Sequence, residues 1–259
     1  MTLYCNSSWQ TALQQQQLAT FDQIWDFPIQ WIDTPNQNRG GWSGVGCLEL
    51  LLDEQPVTLF VKKQLNHTTR TWLHPLQGVP TFTKEYHTIR YLQGHGVVAP
   101  NVVFFAQRRT VEGQQAILIT ENLACYQPLD SLNKDTMSLL QQRRLLSCIA
   151  QTIRRMHQLG IQHRALYAKH IFVKPHEQSF EIALIDLEKA RRMVVPQLQS
   201  SFDLITLNYR TQGWNKASRL VFLKYYLDQD RLNRWGKLFC GWIIYRTAHK
   251  HDQWKKKYE

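Results

Sequence analysis

The sequence predicts an α+β protein of two lobes, a β-rich N-lobe followed by a reduced α-helical C-lobe. Two observations carry that prediction. Between Leu48 and Glu121, four β-like runs form two hairpins around one helix. From Met137 onward the apolar pattern changes to a helical stripe, and beyond Pro196 every patterned segment is helical. A chain of 259 residues is long enough to bury a sizeable core in each lobe without disulfides or structural metal. The expected boundaries are a helical extension over residues 1–38, an N-lobe over 39–125 and a helical C-lobe over 126–259 that ends in a basic tail.

Taken in order, Trp9–Trp25 reads as a helix, followed by turn signals at Pro28 and Pro35-Asn36. Leu48–Leu52 and Val57–Lys62 flank Asp53-Glu54-Gln55-Pro56 and read as a hairpin. Thr81 can cap a helix running to about Gln93, which Gly94-His95-Gly96 ends. Asn101–Gln107 and Gln115–Glu121 form a second hairpin around Glu112-Gly113, with a hinge near Glu121–Asp130. In the segment Met137–Leu159, Leu139, Leu146, Ile149, Ile153 and Met156 fall on one helical stripe. Arg143, Arg144, Arg154 and Arg155 fall away from it, most simply as a solvated face, with contact to an anionic surface as the alternative. The loop Gln162–Lys169 then leads to short strands at Ile171–Lys174 and Glu181–Leu187, and helices follow at Leu198–Leu207, Lys216–Leu227 and Leu232–Thr247.

Composition excludes several classes. Nine Trp, ten Tyr and eleven Phe are too many aromatics for a disordered regulator. Apolar clusters such as Ala116–Ile119 and Gly241–Tyr245 fall far short of a membrane span, and no basic residue precedes Arg39 to start a secretory signal. Cys5, Cys47, Cys125, Cys148 and Cys240 show no zinc-ligand spacing and read as buried small hydrophobes in a reducing compartment, the cytoplasm by default. The formal net charge of +11 points to a polyanionic partner: a nucleotide, a nucleic acid or an anionic lipid surface. It is unevenly spread, with only Asp22, Asp26 and Asp33 charged in residues 1–38, and eight Lys/Arg against two acids in residues 231–259.

Four motifs can carry chemistry. Arg39-Gly40-Gly41-Trp42-Ser43-Gly44-Val45-Gly46 lets backbone approach a phosphate, although an ordinary hairpin entry has the same look. Lys62 shares a strand face with Phe60, and Glu85 on the following helix can hold it toward phosphate oxygens. His163-Arg164-Ala165-Leu166-Tyr167-Ala168-Lys169-His170 packs four basic residues into a loop, either for catalysis or as a hydrogen-bonded His pair. Asp186, ending the apolar run Leu184-Ile185, suits a Mg²⁺ ligand or a helix N-cap.

In this order the motifs resemble the protein kinases, and in wording the lipopolysaccharide kinase (Kdo/WaaP) family of Gram-negative bacteria, most closely its InaA branch. Phe60-Val61-Lys62-Lys63-Gln64, Phe82–Tyr86, Tyr167-Ala168-Lys169-His170-Ile171-Phe172 and Leu184-Ile185-Asp186-Leu187-Glu188-Lys189 carry the likeness together with the glycine-rich segment, over roughly residues 20–230. The resemblance implies a protein-kinase-like fold that binds ATP and Mg²⁺ and phosphorylates a heptose or Kdo sugar of the lipopolysaccharide core, or another envelope glycan, at the cytoplasmic face of the inner membrane. It implies nucleotide contacts from Gly41, Ser43, Gly44, Lys62, Glu85 and Glu121, metal ligation by His170 and Asp186, and catalytic roles for His163, Arg164 and Asp186. One position departs: Ala165 stands where kinases carry the catalytic Asp, which is the motive for a pseudokinase alternative, a nucleotide-binding or scaffold module. Nucleic-acid binding rests on charge alone and is not expected. The tail Trp254-Lys255-Lys256-Lys257-Tyr258 either seats the protein on anionic lipid or frays.

Overall fold

A computed structural model describes residues 2–38, 40–70, 76–211 and 213–258, with Thr2 and residues 251–258 described by backbone alone. Arg39 of the glycine-rich segment and the side chains of Trp254–Tyr258 therefore lie outside the described set. Contacts divide the chain into two compact units, Met1–Tyr91 with Pro100–Ala124, and Leu92–Ala99 with Cys125–Glu259.

The first unit contains β1 (Thr2–Cys5), α1 (Gln10–Gln15), α2 (Phe21–Asp26), β2 (Gln30–Trp31), β3 (Asn36–Asn38), β4 (Gly41–Leu52), β5 (Gln55–Leu65), β6 (Thr68–Thr69), β7 (Val79–Pro80), α3 (Thr81–Gln93), β8 (Val102–Thr110) and β9 (Gly113–Glu121). Its main sheet is antiparallel in the order β1-β8-β9-β5-β4-β2, with β3 also pairing β4. The β4–β5 turn is tighter than the four-residue turn expected: Leu52 pairs Gln55, and Asp53 and Glu54 both take positive φ, as a two-residue hairpin loop requires. One face of the sheet is covered by the N-terminal segment, which buries Trp9, Leu13, Leu18, Phe21 and Ile24 against Leu59, Val61, Phe104, Ile117 and Ile119. Each such side chain removes apolar surface worth about 1.5–3 kcal/mol. Alternation along β5 sends Lys63 to this buried face, where its ammonium donates to the carbonyls of Trp25 and Phe27, both at 2.8 Å, and burial pulls its pKa down to about 8.

The single helix expected over Trp9–Trp25 is instead a 3₁₀ turn at Ser7–Trp9 followed by α1 and α2. Gln17 at φ 56 breaks it, and Thr20 with Gln23 forms a reciprocal cap that starts α2 afresh. Strand β1, pairing β8, was not anticipated. Thr81 is the first residue of α3, and its hydroxyl donates to Gln64 Oε1 at 3.0 Å.

The second unit contains β10 (Gln127–Pro128), α4 (Leu139–Gln158), β11 (Ile161–Gln162), β12 (Ile171–Pro175), β13 (Phe180–Leu184), β14 (Arg191–Arg192), α5 (Pro196–Arg210), α6 (Lys216–Leu227) and α7 (Arg234–Tyr258). The small sheets β10-β12-β13 and β11-β14 bracket the motif-bearing loops. A Ser138/Gln141 capping box starts α4, whose stripe buries Leu145, Leu146, Ile149, Ile153 and Met156. Leu139 is no part of that stripe: it opens the helix, 78% exposed. Of the arginines read as solvated, Arg154 pairs with Asp228 at 2.9 Å. All five cysteines are free, but only Cys240 is buried; Cys125 is exposed and the other three are half-buried. Among the described residues no helix is long and apolar enough to cross a membrane.

Candidate functional site

In the first unit, β5 and α3 bring two of the expected residues together. Lys62 leaves the face of β5 opposite to Lys63, and its ammonium donates to Glu85 Oε1 at 2.7 Å. Glu85 lies one turn into α3 and is almost wholly buried, whereas the Lys62 side chain keeps 16% exposure. The pair fixes a cation at the sheet surface, with the Phe82 ring 5.8 Å from the ammonium.

The glycine-rich segment is mostly strand and not turn. Among its described residues Gly40 alone takes the left-handed turn conformation, at φ 78. Gly41 and Gly44 lie inside β4, with Ser43 buried between them. A Cβ on Gly44 would meet the Trp31 ring at 2.6 Å, and one on Gly41 would meet the Leu65 carbonyl oxygen at 2.0 Å. Close packing of the chain on itself thus accounts for glycine at both positions. The carboxylate of Glu121, at the end of β9, is committed within its unit: it accepts from the Trp9 indole N–H at 2.7 Å and from the Asn101 amide at 3.0 Å.

In the second unit, the loop between β11 and β12 is anchored by a residue that the sequence reading did not single out. Asp203 of α5, 1% exposed, accepts from the backbone N–H of His163 at 2.6 Å and of Arg164 at 2.8 Å. It also meets His157 Nε2 at 3.2 Å. The only signal for it was a lone acid inside the apolar run Phe202-Asp203-Leu204-Ile205. Held this way, Arg164 adopts a left-handed backbone at φ 66 with its side chain exposed.

His163 is fully buried, and both ring nitrogens are engaged. Nε2 lies 3.0 Å from the Ile185 carbonyl, which can only accept, so Nε2 carries the proton and Nδ1 accepts from the Ala165 N–H at 3.3 Å. Burial pushes the pKa of His163 below the ordinary 6.5. The unfolded chain gains a proton on this ring as pH falls through 6.5, and the folded chain refuses it. Stability is therefore present above that pH and declines below it, by up to about 1.4 kcal/mol per pH unit from this residue. His170 acts in the same sense. His163→Gln should flatten denaturant-derived stability against pH by that slope; an unchanged slope would mean that the ring is protonated in the folded protein.

His170 and Asp186 converge. His170 Nδ1 lies 2.8 Å from the Ala165 carbonyl, an acceptor, so Nδ1 is the protonated nitrogen and Nε2 presents a lone pair. That lone pair faces Asp186 Oδ2 at 3.4 Å. Burial lowers the pKa of His170, which favours the neutral ring over an ion pair. Asp186 follows β13 in the left-handed conformation, φ 57, at the N-cap position of a short 3₁₀ turn, yet its side chain makes no capping bond. Of its two expected roles the capping one is thus unused. Two acceptor atoms directed at one point suit a cation between them. Among the described residues no cluster of three or more His, Cys, Asp or Glu is placed to hold a metal. A pair fits Mg²⁺, which takes one or two carboxylates and completes its shell with water and phosphate oxygens.

The model of the lipopolysaccharide kinase (Kdo/WaaP) family matches residues 22–226 of this chain. The chain belongs to that family. Among curated proteins it is 32% identical over 177 residues to Protein InaA of Escherichia coli (strain K12), covering 66% of this chain and 79% of that protein. It is 27% identical over 189 residues to the lipopolysaccharide core heptose(I) kinase WaaP of Pseudomonas aeruginosa, covering 68% and 70%. A solved structure of WaaP in complex with acyl carrier protein superposes with a TM-score of 0.70 at 21% identity, over 96% of this chain and 99% of that one. The α+β, protein-kinase-like fold expected for a Kdo/WaaP family member is thus the fold observed.

Proposed function

We propose that this family member is an ATP- and Mg²⁺-dependent phosphotransferase that acts on an envelope sugar or lipid-linked glycan. The observation that carries this is the Lys62–Glu85 pair at 2.7 Å, a cation fixed by a buried carboxylate on the strand that follows the glycine-rich segment. In this reading Lys62 neutralises phosphate oxygens, and Glu85 keeps its ammonium in place. The backbone around Gly41, Ser43 and Gly44 approaches the phosphates, and the chain at Glu121 lies near the base. Asp186 and His170 hold the metal, which supplies charge neutralisation at the transferring phosphate. His163, with both nitrogens engaged, positions the loop, and the exposed Arg164 offers a cation to the acceptor or to phosphate. The protein would work in the cytoplasm, peripheral to the inner membrane, with no nucleic-acid partner.

Binding is tested by melting the protein with and without MgATP. The expected result is an upward shift, which at a hundred-fold excess over Kd corresponds to about 2.7 kcal/mol. Lys62→Met should reduce the shift strongly, and an equal shift in that variant would remove Lys62 from the nucleotide site. The alternative, a nucleotide-binding pseudokinase, is favoured by one observation: Ala165 offers a methyl group, 1% exposed, where a proton acceptor is needed.

A further inference from the structure

Helix α7 uses its inner face within the second unit. Gly236, Cys240 and Ile243 are buried there, Asn208 donates to Thr247 Oγ1 at 2.9 Å, and Lys250 donates to Thr206 Oγ1 at 3.1 Å. The outer face has another character. Trp235, Leu238, Trp242 and Tyr245, at intervals of three, four and three residues, form one stripe that is 77%, 57%, 40% and 64% exposed. So large an apolar stripe on a helix surface is a binding feature and not ordinary surface composition.

Its charge setting indicates what binds. Between Arg231 and His251 the chain has five Lys/Arg and no Asp or Glu. Arg231, Arg234 and Lys237 are exposed beside Trp235, and the Arg246 guanidinium lies over the Trp242 ring at 5.2 Å. Two indoles and a phenol flanked by cations form the pattern of a helix lying in a membrane–water interface. The rings sit at headgroup depth there, and the guanidinium and ammonium groups meet lipid phosphates. Another protein surface would reward the apolar stripe, but a strip of this length without one carboxylate is matched by a continuous anionic plane.

We infer that the outer face of α7, through Trp235, Leu238, Trp242 and Tyr245 with Arg234 and Lys237, docks the protein on an anionic bilayer surface. The inference stands apart from the kinase reading, since docking is measured without nucleotide and neither depends on the other. Each basic residue at such a surface is worth about five-fold in binding, and the cationic share weakens as salt shortens the screening length.

The test is co-sedimentation of the full chain with vesicles of phosphatidylethanolamine and phosphatidylglycerol, and with phosphatidylcholine vesicles as the neutral control. The expected result is pelleting with the anionic vesicles alone, reduced at high salt and reduced at least about ten-fold by Trp235→Ser with Trp242→Ser. Bromine-labelled acyl chains should quench tryptophan emission in the native chain and much less in that variant. Both positions are exposed, so the variant should keep its melting temperature; if it does not, Arg234→Glu with Lys237→Glu gives the same test through charge. Absence of pelleting, equal pelleting on both lipids, or binding that neither variant changes would overturn the inference. So would a dimer in solution that the tryptophan variant dissociates, because a second copy would then cover the stripe.

Discussion

Asp203→Ala is expected to lower the stability of the second unit by about 3–5 kcal/mol, the cost of leaving several buried hydrogen-bond donors without their acceptor. The carboxylate is 1% exposed and satisfies three donors: two consecutive backbone N–H groups, at His163 and Arg164, and the His157 ring. Without it, two N–H groups are left without acceptors, at about 1–3 kcal/mol each, and no replacement oxygen is built into the site. The loss also reaches the loop conformation. Arg164 is held at φ 66, a region that costs an L-residue about 1–2 kcal/mol, and the Asp203 bond to its N–H helps to hold it there. At about 2–4 °C per kcal/mol, calorimetry should show a melting temperature lower by about 6–20 °C. Asp203→Asn keeps one accepting oxygen and turns the other into a donor, so it should fall between the native protein and Asp203→Ala. A loss below about 1 kcal/mol in the alanine variant would show that other contacts hold the loop.

Asp203 also marks the limit of what was legible in the sequence. Its partners are backbone amides some forty residues earlier, and no local pattern announces a bond of that kind. The same holds for β1, whose pairing with β8 joins residues about one hundred positions apart. Local signals did better: caps and turn residues placed α3, α6 and both long hairpins, and the helical stripe placed α4. It failed at Trp9–Trp25, where apolar spacing runs through the Gln17 break, although the Thr20/Gln23 cap was there to be read. In the candidate site, the pairing of Lys62 with Glu85 followed from motif order, and that of His170 with Asp186 from the family resemblance. The sequence suggests glycine for backbone freedom in the glycine-rich segment, whereas the structure uses Gly44 for its lack of a side chain against Trp31. The occupied nitrogens of His163 depend on the carbonyl of Ile185 and the amide of Ala165, which only three-dimensional placement brings to the ring.

Asp186→Asn is expected to bring phosphoryl transfer down by at least about two orders of magnitude while leaving the fold intact. Its carboxylate makes no capping bond and faces His170 Nε2 at 3.4 Å, so an amide of the same shape disturbs little packing. What the amide cannot supply is the negative charge that a divalent ion requires, and even outer-sphere partners of metal ligands cost 10–100-fold when lost. The native rate should itself be modest. Ala165 cannot accept a hydroxyl proton and neither nitrogen of His163 is open to one, so the 10²–10⁴-fold that a positioned base contributes is missing. Positioning and charge neutralisation would remain, and these dominate phosphoryl transfer, where little covalent work falls to the protein. Labelled γ-phosphate appearing on deep-rough lipopolysaccharide, and disappearing in Asp186→Asn, would establish slow transfer and exclude the pseudokinase. A nucleotide-induced melting shift that depends on Lys62, with no label transferred by the native chain, would establish the reverse. The same residues would then hold ATP without passing its phosphate on, and Ala165 would mark where transfer was lost.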